Sequence, residues 1–284
     1  MDSVQNRAPA KINLTLAVGE KRPDSYHLLS SVMVHISLYD EIKLERTGEG
    51  IDFQSDAKYL KNDDKNLCVA AAKGFFELTG IKNEGLKISL KKVIPSKSGM
   101  GGGSADAACT IELLEELYGK LSEKERLSLA LSLGADVPFC LTKAPAFCEG
   151  IGEIITPVAL AKKKIYIVVA KNSAKPSTAA VYADFDACPV EFRGSHADVI
   201  KGLETGNVAL LKKGMFNSFE EVIFKKLPEV KALRDKMESF GALVSLMTGA
   251  GPTIFGLFEE KKDAVSALAK LREEKILSYI AYIV

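Results

Sequence analysis

A glycine-rich segment, "SGMGGGS" at residues 98–104, offers the clearest chemistry in this sequence of 284 residues. Core-forming patterns flank it on both sides, strand-like before and helix-like after, which is unlike a linker between domains. Glycine permits unusual backbone dihedrals and removes side chains that would block a close approach. Backbone N–H groups of such a loop, and of the helix that follows, form a cradle for anions. The segment therefore predicts a site for a phosphate chain, with a plain turn as the alternative.

The segment departs from two common nucleotide-binding motifs. The Walker motif needs a lysine after its last glycine, and Ser104 stands in that place. The dinucleotide fingerprint needs a parallel-sheet context, which the flanking pattern does not supply. The surrounding residues must therefore decide between a phosphate site and a turn.

A second glycine-rich segment, "TGAGPT" at residues 248–253, lies between two apolar, strand-like runs. A tight hairpin is one explanation. In the other, Thr248, Gly249 and Gly251 form a second wall of backbone donors near the same phosphates.

Three polar sites could complete a phosphoryl-transfer centre. Lys11 and Asn13 share one face of a strand in "PAKINL". Asp136, in "GADVPF", either organises a turn or orients a nucleophilic hydroxyl while Lys11 balances the developing charge. Tyr26 and His27 follow a turn, where they form an ordinary polar loop or grip a planar base.

Periodicity predicts the elements that must position these residues. Alternation of apolar residues predicts strands, and helical spacing with capping and stop signals predicts helices. The predicted strands cover residues 10–18, 31–46, 85–95, 162–170, 242–259 (a hairpin) and 277–284. The predicted helices cover residues 66–80, 104–119, 122–134, 177–186, 196–214, 227–241 and 262–274. This mixed order predicts an α+β protein. Pro157 and a lysine run place the domain boundary between residues 158 and 159, giving domains 1–158 and 159–284.

Composition excludes several classes of protein. The net charge of +1 and the 47% of apolar residues are ordinary for a soluble globular chain and do not favour nucleic-acid or membrane binding. Five scattered cysteines without a C-x-x-C pair predict reduced thiols, and the wide separation of the three histidines argues against a histidine metal site. Neither a signal peptide nor a membrane-length apolar run is evident. We therefore expect a cytoplasmic protein.

Three motifs in order, "APAKINL", "PSKSGMGGGSADAA" and "MTGAGPTIF", resemble the GHMP kinase superfamily. The addition of "YH" and "GADVPF" makes the chain most similar to the branch that phosphorylates a cytidine diphosphate-linked methylerythritol. The resemblance spans nearly the whole chain. It implies a ribosomal protein S5 domain 2-like N-terminal domain, a ferredoxin-like C-terminal domain, ATP and Mg²⁺ as cofactors, and an active site in the cleft between the domains.

The resemblance also implies roles for individual residues. Lys11 and Asp136 match the catalytic pair, and Asn13 matches a residue that lines the acceptor site. The remaining matches are ATP phosphates on Gly99, Met100, Gly101, Gly102, Gly103 and Ser104; the adenine side at Asn66 and Lys92; a further ATP contact at Pro95; cytosine recognition by Tyr26, His27 and Tyr182; substrate contacts at Thr248, Gly249 and Gly251; and a Mg²⁺ contact at Ser104.

Two residues depart from the family pattern. Ser25 stands where the family usually has glycine, so a positive φ at that turn would cost about 1 kcal/mol or more. Ala105 replaces a second serine after Ser104, which removes one possible phosphate or magnesium contact.

Other interpretations remain open at the level of sequence. The chain could be another GHMP kinase, of the homoserine or mevalonate type, but such an acceptor gives Tyr26, His27 and Tyr182 no base to bind. A non-catalytic ATP-binding sensor of the same fold is a second alternative, which would need neither Lys11 nor Asp136. We expect a monomer or a weak homodimer that binds a small-molecule substrate.

Overall fold

The structure is a computed structural model that describes residues 2–48, 50–173 and 177–284. In these residues the strands are β1 (Ser3–Asn13), β2 (Thr15–Lys21), β3 (His27–Arg46), β4 (Ile51–Ser55), β5 (Leu86–Lys91), β6 (Ala146–Gly150), β7 (Ile154–Pro157), β8 (Tyr166–Lys171), β9 (Phe216–Asn217), β10 (Val244–Met247), β11 (Thr253–Phe258) and β12 (Leu277–Tyr282). The helices are α1 (Leu67–Thr79), α2 (Gly102–Tyr118), α3 (Glu123–Leu133), α4 (Val137–Cys140), α5 (Thr178–Ala187), α6 (His196–Thr205), α7 (Val208–Gly214), α8 (Glu220–Lys226), α9 (Pro228–Ser239) and α10 (Lys261–Glu273). The protein is therefore α+β, as predicted, and its strands form two sheets.

Contacts divide the chain into two compact units. Unit 1 comprises residues 1–10, 39–96 and 101–143, and unit 2 comprises residues 11–38, 97–100 and 144–284. Strands β1 and β3 contribute residues to both units. The predicted domain boundary between residues 158 and 159 stays a prediction.

Unit 1 packs helices beside a small group of strands. Strand β5 pairs antiparallel with the second half of β3 and parallel with β4. Helices α1, α2 and α3 pack on one another, and α4 packs on α2 and α3. Fully buried side chains such as Phe75, Ile88 and Leu114 form its interior, which holds the start of α2 in a fixed position.

Unit 2 contains a four-stranded antiparallel sheet in the order β10-β11-β8-β12. Helices α9 and α10 pack on this sheet, and Val168, Met237, Phe219 and Phe258 belong to its buried cluster. Strand β2 pairs with the first half of β3 and, in parallel, with β9, while β6 pairs with β3 and β7. This packing fixes the turn between β10 and β11.

Most predicted elements are confirmed, with local corrections. Helix α1 ends at Gly80 in the left-handed conformation, and α3 begins with the predicted capping box of Ser122 and Glu125. The single helix predicted over residues 196–214 is wrong, because Gly206 adopts φ +70° and Asn207 caps a new helix. Helix α2 begins at Gly102, two residues earlier than predicted. Periodicity missed the short elements β4, β6, β7, β9, α4 and α8.

None of the five cysteines forms a disulfide in the structure; four are buried and Cys188 is exposed. None of the helices in the described part of the chain combines the length and apolar character needed to cross a lipid bilayer.

Candidate active site

The glycine-rich loop has the backbone shape expected of an anion cradle. Lys97, Gly99 and Gly101 all have positive φ, at +49°, +74° and +66°. Such alternation of left-handed and ordinary residues turns successive N–H groups toward one side. Gly102 and Gly103 form the first turn of α2, where N–H groups have no partner within the helix. The positive φ values and the helix start are each features expected of phosphate binding, and the predicted binding at Gly99 through Ser104 stays a prediction.

The loop packs directly against the second glycine-rich turn, inside unit 2. A Cβ added at Gly99 would lie 2.4 Å from the carbonyl oxygen of Thr248, and one at Gly249 would lie 3.1 Å from the oxygen of Gly99. The Thr248 hydroxyl also lies 3.4 Å from the Gly99 oxygen. Residues 248–252 do form the turn of a hairpin, since β10 and β11 pair antiparallel. The glycines thus serve a second purpose, which is to let two backbones touch.

A buried polar network joins this contact to Lys11. The Lys11 ammonium donates to the Asn13 side-chain oxygen at 3.0 Å, and the Asn13 amide nitrogen donates to the Ser31 hydroxyl at 2.8 Å. Thr248 accepts from the Asn13 backbone N–H at 3.1 Å. The backbone N–H of Lys11 donates to the oxygen of Met100 at 3.0 Å. These bonds fix the orientation of Lys11 and Asn13 beside both glycine-rich turns.

Two side chains that the sequence analysis missed support the turn between β10 and β11. Asn217 donates to the carbonyl oxygens of Met247 at 2.7 Å and Gly249 at 2.9 Å. Glu220 accepts from the Met247 N–H at 2.7 Å. Burial raises the pKa of Glu220 to about 7, against the effect of that hydrogen bond. No local signal reveals them, because they lie in the short elements β9 and α8.

The residues predicted to recognise a base meet at one place in unit 2. The ring of His27 stacks on that of Tyr182, with centroids 4.9 Å apart and planes 28° from parallel. Tyr26, the preceding residue in the chain, is 57% exposed. Ser25, before it, has φ +71°, which is the strained conformation that the family's glycine would adopt freely. The strain is therefore present in this chain.

On the predicted adenine side, the structure places two residues in structural contacts within unit 1. Asn66 caps α1, because its side-chain oxygen accepts from the Cys68 N–H at 3.0 Å. The Lys92 ammonium forms buried ion pairs with Asp40 and, at 2.6 Å, with Asp106. Pro95 is half-buried in the segment between β5 and the loop. Their predicted ATP contacts stay predictions.

The buried cluster of Asp40, Lys92 and Asp106 lies beneath the start of α2. A Cβ at Gly102 would lie 3.4 Å from the Lys92 ammonium nitrogen. Two carboxylates share one ammonium, and burial raises the pKa of Asp106 to about 8 despite the attraction of Lys92. The acidic residue in the otherwise small and apolar run "SADAAC" is the signal that could have identified it. The cluster holds the first turn of α2 in place.

Asp136 precedes α4 in unit 1, with Pro138 in the first turn of that helix, and is half-buried. Lys11 belongs to unit 2, so the predicted catalytic pair stays a prediction. Ser104 is half-buried in the first turn of α2. Across residues 2–48, 50–173 and 177–284, no group of three or more His, Cys, Asp or Glu side chains could hold a metal ion.

Comparison with known proteins identifies the family. The models "GHMP kinases N terminal domain" and "GHMP kinases C terminal" match residues 66–144 and 199–276. A 4-diphosphocytidyl-2-C-methyl-D-erythritol kinase of Clostridium botulinum (strain Alaska E43 / Type E3) is 36% identical over 275 residues, covering 96% of this chain and 98% of that protein. The enzyme of the same name from Caldicellulosiruptor saccharolyticus is 40% identical over 268 residues, covering 94% and 92%.

Solved structures agree with this assignment. A crystal structure of 4-(cytidine 5'-diphospho)-2C-methyl-D-erythritol kinase matches with a TM-score of 0.86 and 32% identity, covering 99% of both chains. A more distant match is L. major mevalonate kinase in complex with R-mevalonate, with a TM-score of 0.76 at 19% identity, which shows a shared fold alone. With relatives that match across nearly its whole length, the chain belongs to the GHMP kinase family, a family of ATP-dependent kinases, and within it to the 4-diphosphocytidyl-2-C-methyl-D-erythritol kinases.

Proposed function

We propose that this enzyme transfers the γ-phosphoryl group of ATP to the 2-hydroxyl of 4-diphosphocytidyl-2-C-methyl-D-erythritol, a step of non-mevalonate isoprenoid precursor synthesis. The observation that carries the proposal is the whole-length similarity to relatives of that single name, at 36% and 40% identity. The likeness to mevalonate kinase, at 19% identity, extends to the fold alone. It therefore gives no comparable support to the alternative that this enzyme is a mevalonate kinase.

The phosphates of ATP are proposed to lie on the loop of residues 99–104. The positive φ values of Gly99 and Gly101 and the free N–H groups of the first turn of α2 support this placement. The helix dipole adds about half a positive charge at the same end. Backbone donors of this kind need no side chain, which explains why glycines fill the loop.

Lys11 and Asp136 are proposed as the catalytic pair. In phosphoryl transfer the transition state is loose, so positioning and charge neutralisation supply most of the acceleration. Asp136 would orient the acceptor hydroxyl and accept its proton late in the reaction. Lys11 would balance the charge on the transferred group, and its bond to Asn13 at 3.0 Å holds the ammonium in a defined direction.

Magnesium is proposed as the second cofactor, with the Ser104 hydroxyl as its protein ligand. Mg²⁺ prefers oxygen ligands and is usually bound through one or two protein groups together with substrate phosphates. The donor set in the described residues fits that mode, since it offers a hydroxyl at the cradle and no carboxylate cage. When bound, the metal would supply further neutralisation of phosphate charge.

The cytidine end of the acceptor is proposed to bind at Tyr26, His27 and Tyr182. The exposed ring of Tyr26 and the stacked pair of His27 and Tyr182 support this placement, because aromatic faces stack on bases. Asn13, Thr248, Gly249 and Gly251 would line the path toward the acceptor hydroxyl.

The proposal also includes a domain boundary between residues 158 and 159 and a cytoplasmic location. The two family models, at residues 66–144 and 199–276, lie on either side of that boundary.

A coupled assay of ADP release tests the proposal. The parent enzyme is expected to turn over the cytidyl acceptor and neither homoserine nor mevalonate. Absence of ADP release with every acceptor would instead indicate an ATP-binding sensor.

The variant Asp136→Asn tests the assigned base. We expect kcat to fall by about 10²–10⁴-fold, the range typical of general acid–base groups. Asp52→Asn is the matched control, because Asp52 is an exposed aspartate of β4 in the same unit. Parent-like turnover by Asp136→Asn would refute its role.

A further inference from the structure

The ring of His27 is held by two charged residues to which the proposed function assigns no role. Asp186, near the end of α5, lies 2.6 Å from the Nε2 atom of His27 through its Oδ1 atom. The other oxygen of Asp186 accepts from the Lys21 ammonium, also at 2.6 Å. All three residues belong to unit 2. Lys21, Asp186 and His27 therefore form a chain of hydrogen bonds that ends on the imidazole.

The surroundings of His27 leave its ring one orientation. The residue is 6% exposed, the Tyr182 ring stacks on it, and the Phe185 ring meets it edge-on at 6.5 Å between centroids. The stacking fixes the plane of the imidazole, and the bond to Asp186 fixes its rotation within that plane. The bond also determines which nitrogen carries the proton, because an ionised carboxylate only accepts hydrogen bonds.

Asp186 is suited to act as a permanent acceptor. The hydrogen bond from Lys21, followed by the bond to His27, lowers the pKa of Asp186 and keeps it ionised. Exposed ion pairs contribute little to stability, and the side chains of Lys21 and Asp186 are 51% and 32% exposed. Stability is therefore a weak reason for this arrangement, whereas control of a buried imidazole is a strong one.

We propose that Asp186 is a positioning residue that sets the tautomer of His27 and so makes the site selective for a pyrimidine that carries an exocyclic amino group. This inference rests on the proposed function. With the proton of neutral His27 on Nε2, its Nδ1 atom presents a lone pair. A lone pair accepts a hydrogen bond from the amino group of a cytosine and repels the carbonyl oxygen that replaces it in a uracil. Lys21 holds the far oxygen of Asp186 and thereby the direction of the near one.

The first test reads the tautomer directly in the parent enzyme. The chain has three histidines, so a ¹⁵N-histidine spectrum is simple, and His27→Gln identifies the His27 signals by their loss. We expect the proton of the neutral imidazole on Nε2 of His27, the nitrogen that faces Asp186. A proton on Nδ1 would overturn the proposal, and this measurement needs no Asp186 variant to fold.

The second test is kinetic and uses Asp186→Leu, with Asp184→Asn as the matched control. Asp184 lies on the same helix and pairs with Lys226, away from the imidazole. We expect Asp186→Leu to raise KM for the cytidyl acceptor by roughly tenfold, the effect of losing one hydrogen bond between the base and the imidazole. We expect kcat to stay within about twofold and the preference for the cytidyl over the uridyl acceptor to fall by roughly tenfold. The control keeps the parent values.

The outcomes separate this inference from the proposed function. If the parent enzyme does not phosphorylate the cytidyl acceptor, the proposed function fails and the inference falls with it. If the parent does so while Asp186→Leu keeps the parent KM and base preference, the inference alone is wrong. A loss of thermal stability without a change in base preference would likewise reduce Asp186 to a structural contact.

Discussion

Replacement of Gly99 by alanine is expected to separate the two glycine-rich turns and to impair the enzyme severely. The new Cβ would lie 2.4 Å from the Thr248 oxygen, whereas ordinary contacts begin near 3.4 Å, so the turns must move apart by about 1 Å. Two effects lower the free energy of unfolding, and their contributions add. The positive φ of +74° costs an alanine about 1–2 kcal/mol, and overpacking costs about 1–3 kcal/mol more.

Gly206→Ala is the control that isolates the dihedral cost. Gly206 lies in the same unit with φ +70°, and a Cβ there would make contacts no closer than 3.4 Å. We expect the free energy of unfolding to fall by about 1–2 kcal/mol in Gly206→Ala and by about 2–5 kcal/mol in Gly99→Ala. At about 2–4 °C per kcal/mol, the difference in Tm between the variants is roughly 2–12 °C.

Gly99→Ala is expected to lose catalytic activity as well as stability. A displacement of about 1 Å in a positioning element can cost roughly 100-fold in rate. We therefore expect kcat/KM for ATP to fall by about two orders of magnitude in Gly99→Ala and to stay near the parent value in Gly206→Ala. Thermal unfolding and ADP-release kinetics measure the two effects. If Gly99→Ala matched Gly206→Ala in both, the two turns would not touch as the structure has them.

Two further predictions concern buried charge and backbone strain. The pKa of Asp106 is raised from 3.8 to about 8 in the folded state, so the folded protein binds the extra proton between these values and loses stability as pH rises through them. Asp106→Asn should remove that loss, so its free energy of unfolding should rise relative to the parent's by at most about 1.4 kcal/mol per pH unit from pH 5 to pH 8. If the free energies of unfolding of the two proteins changed in parallel with pH, the raised pKa would be contradicted. Ser25→Gly should relieve the strain of φ +71°, partly offset by the greater flexibility of an unfolded glycine, for a net gain of up to about 1 kcal/mol. A lower Tm for Ser25→Gly would show that this turn stores no strain.

Local patterns predicted much of the fold because their causes are local. The capping box of Ser122 and Glu125 spans four residues, and the stop at Gly80 depends on one residue's backbone freedom. The break at Gly206 was missed because "ETGN" interrupts an amphipathic pattern that continues on both sides. Short strands such as β9, with two residues, carry no periodicity at all.

The sequence also allowed a list of site residues, but not the contacts that orient them. The Lys11 and Asn13 pair could be placed on one strand face, and the structure adds the hydrogen bond between them. Asn66 and Lys92 were assigned to adenine, and only the structure shows that one caps a helix and the other pairs with buried carboxylates. Such partners depend on packing, which no short window of residues records.

Taken alone, the sequence determined the family and the α+β class and predicted a glycine-rich phosphate loop, because these follow from motif identity and backbone freedom. Tertiary structure alone decided that Gly99 meets Thr248, 149 residues away, and that Asp186 holds His27, 159 residues away. The reason is physical: contacts over such separations arise when apolar elements pack into a core. The hydrogen bonds at these contacts stabilise the fold only after that packing has excluded water.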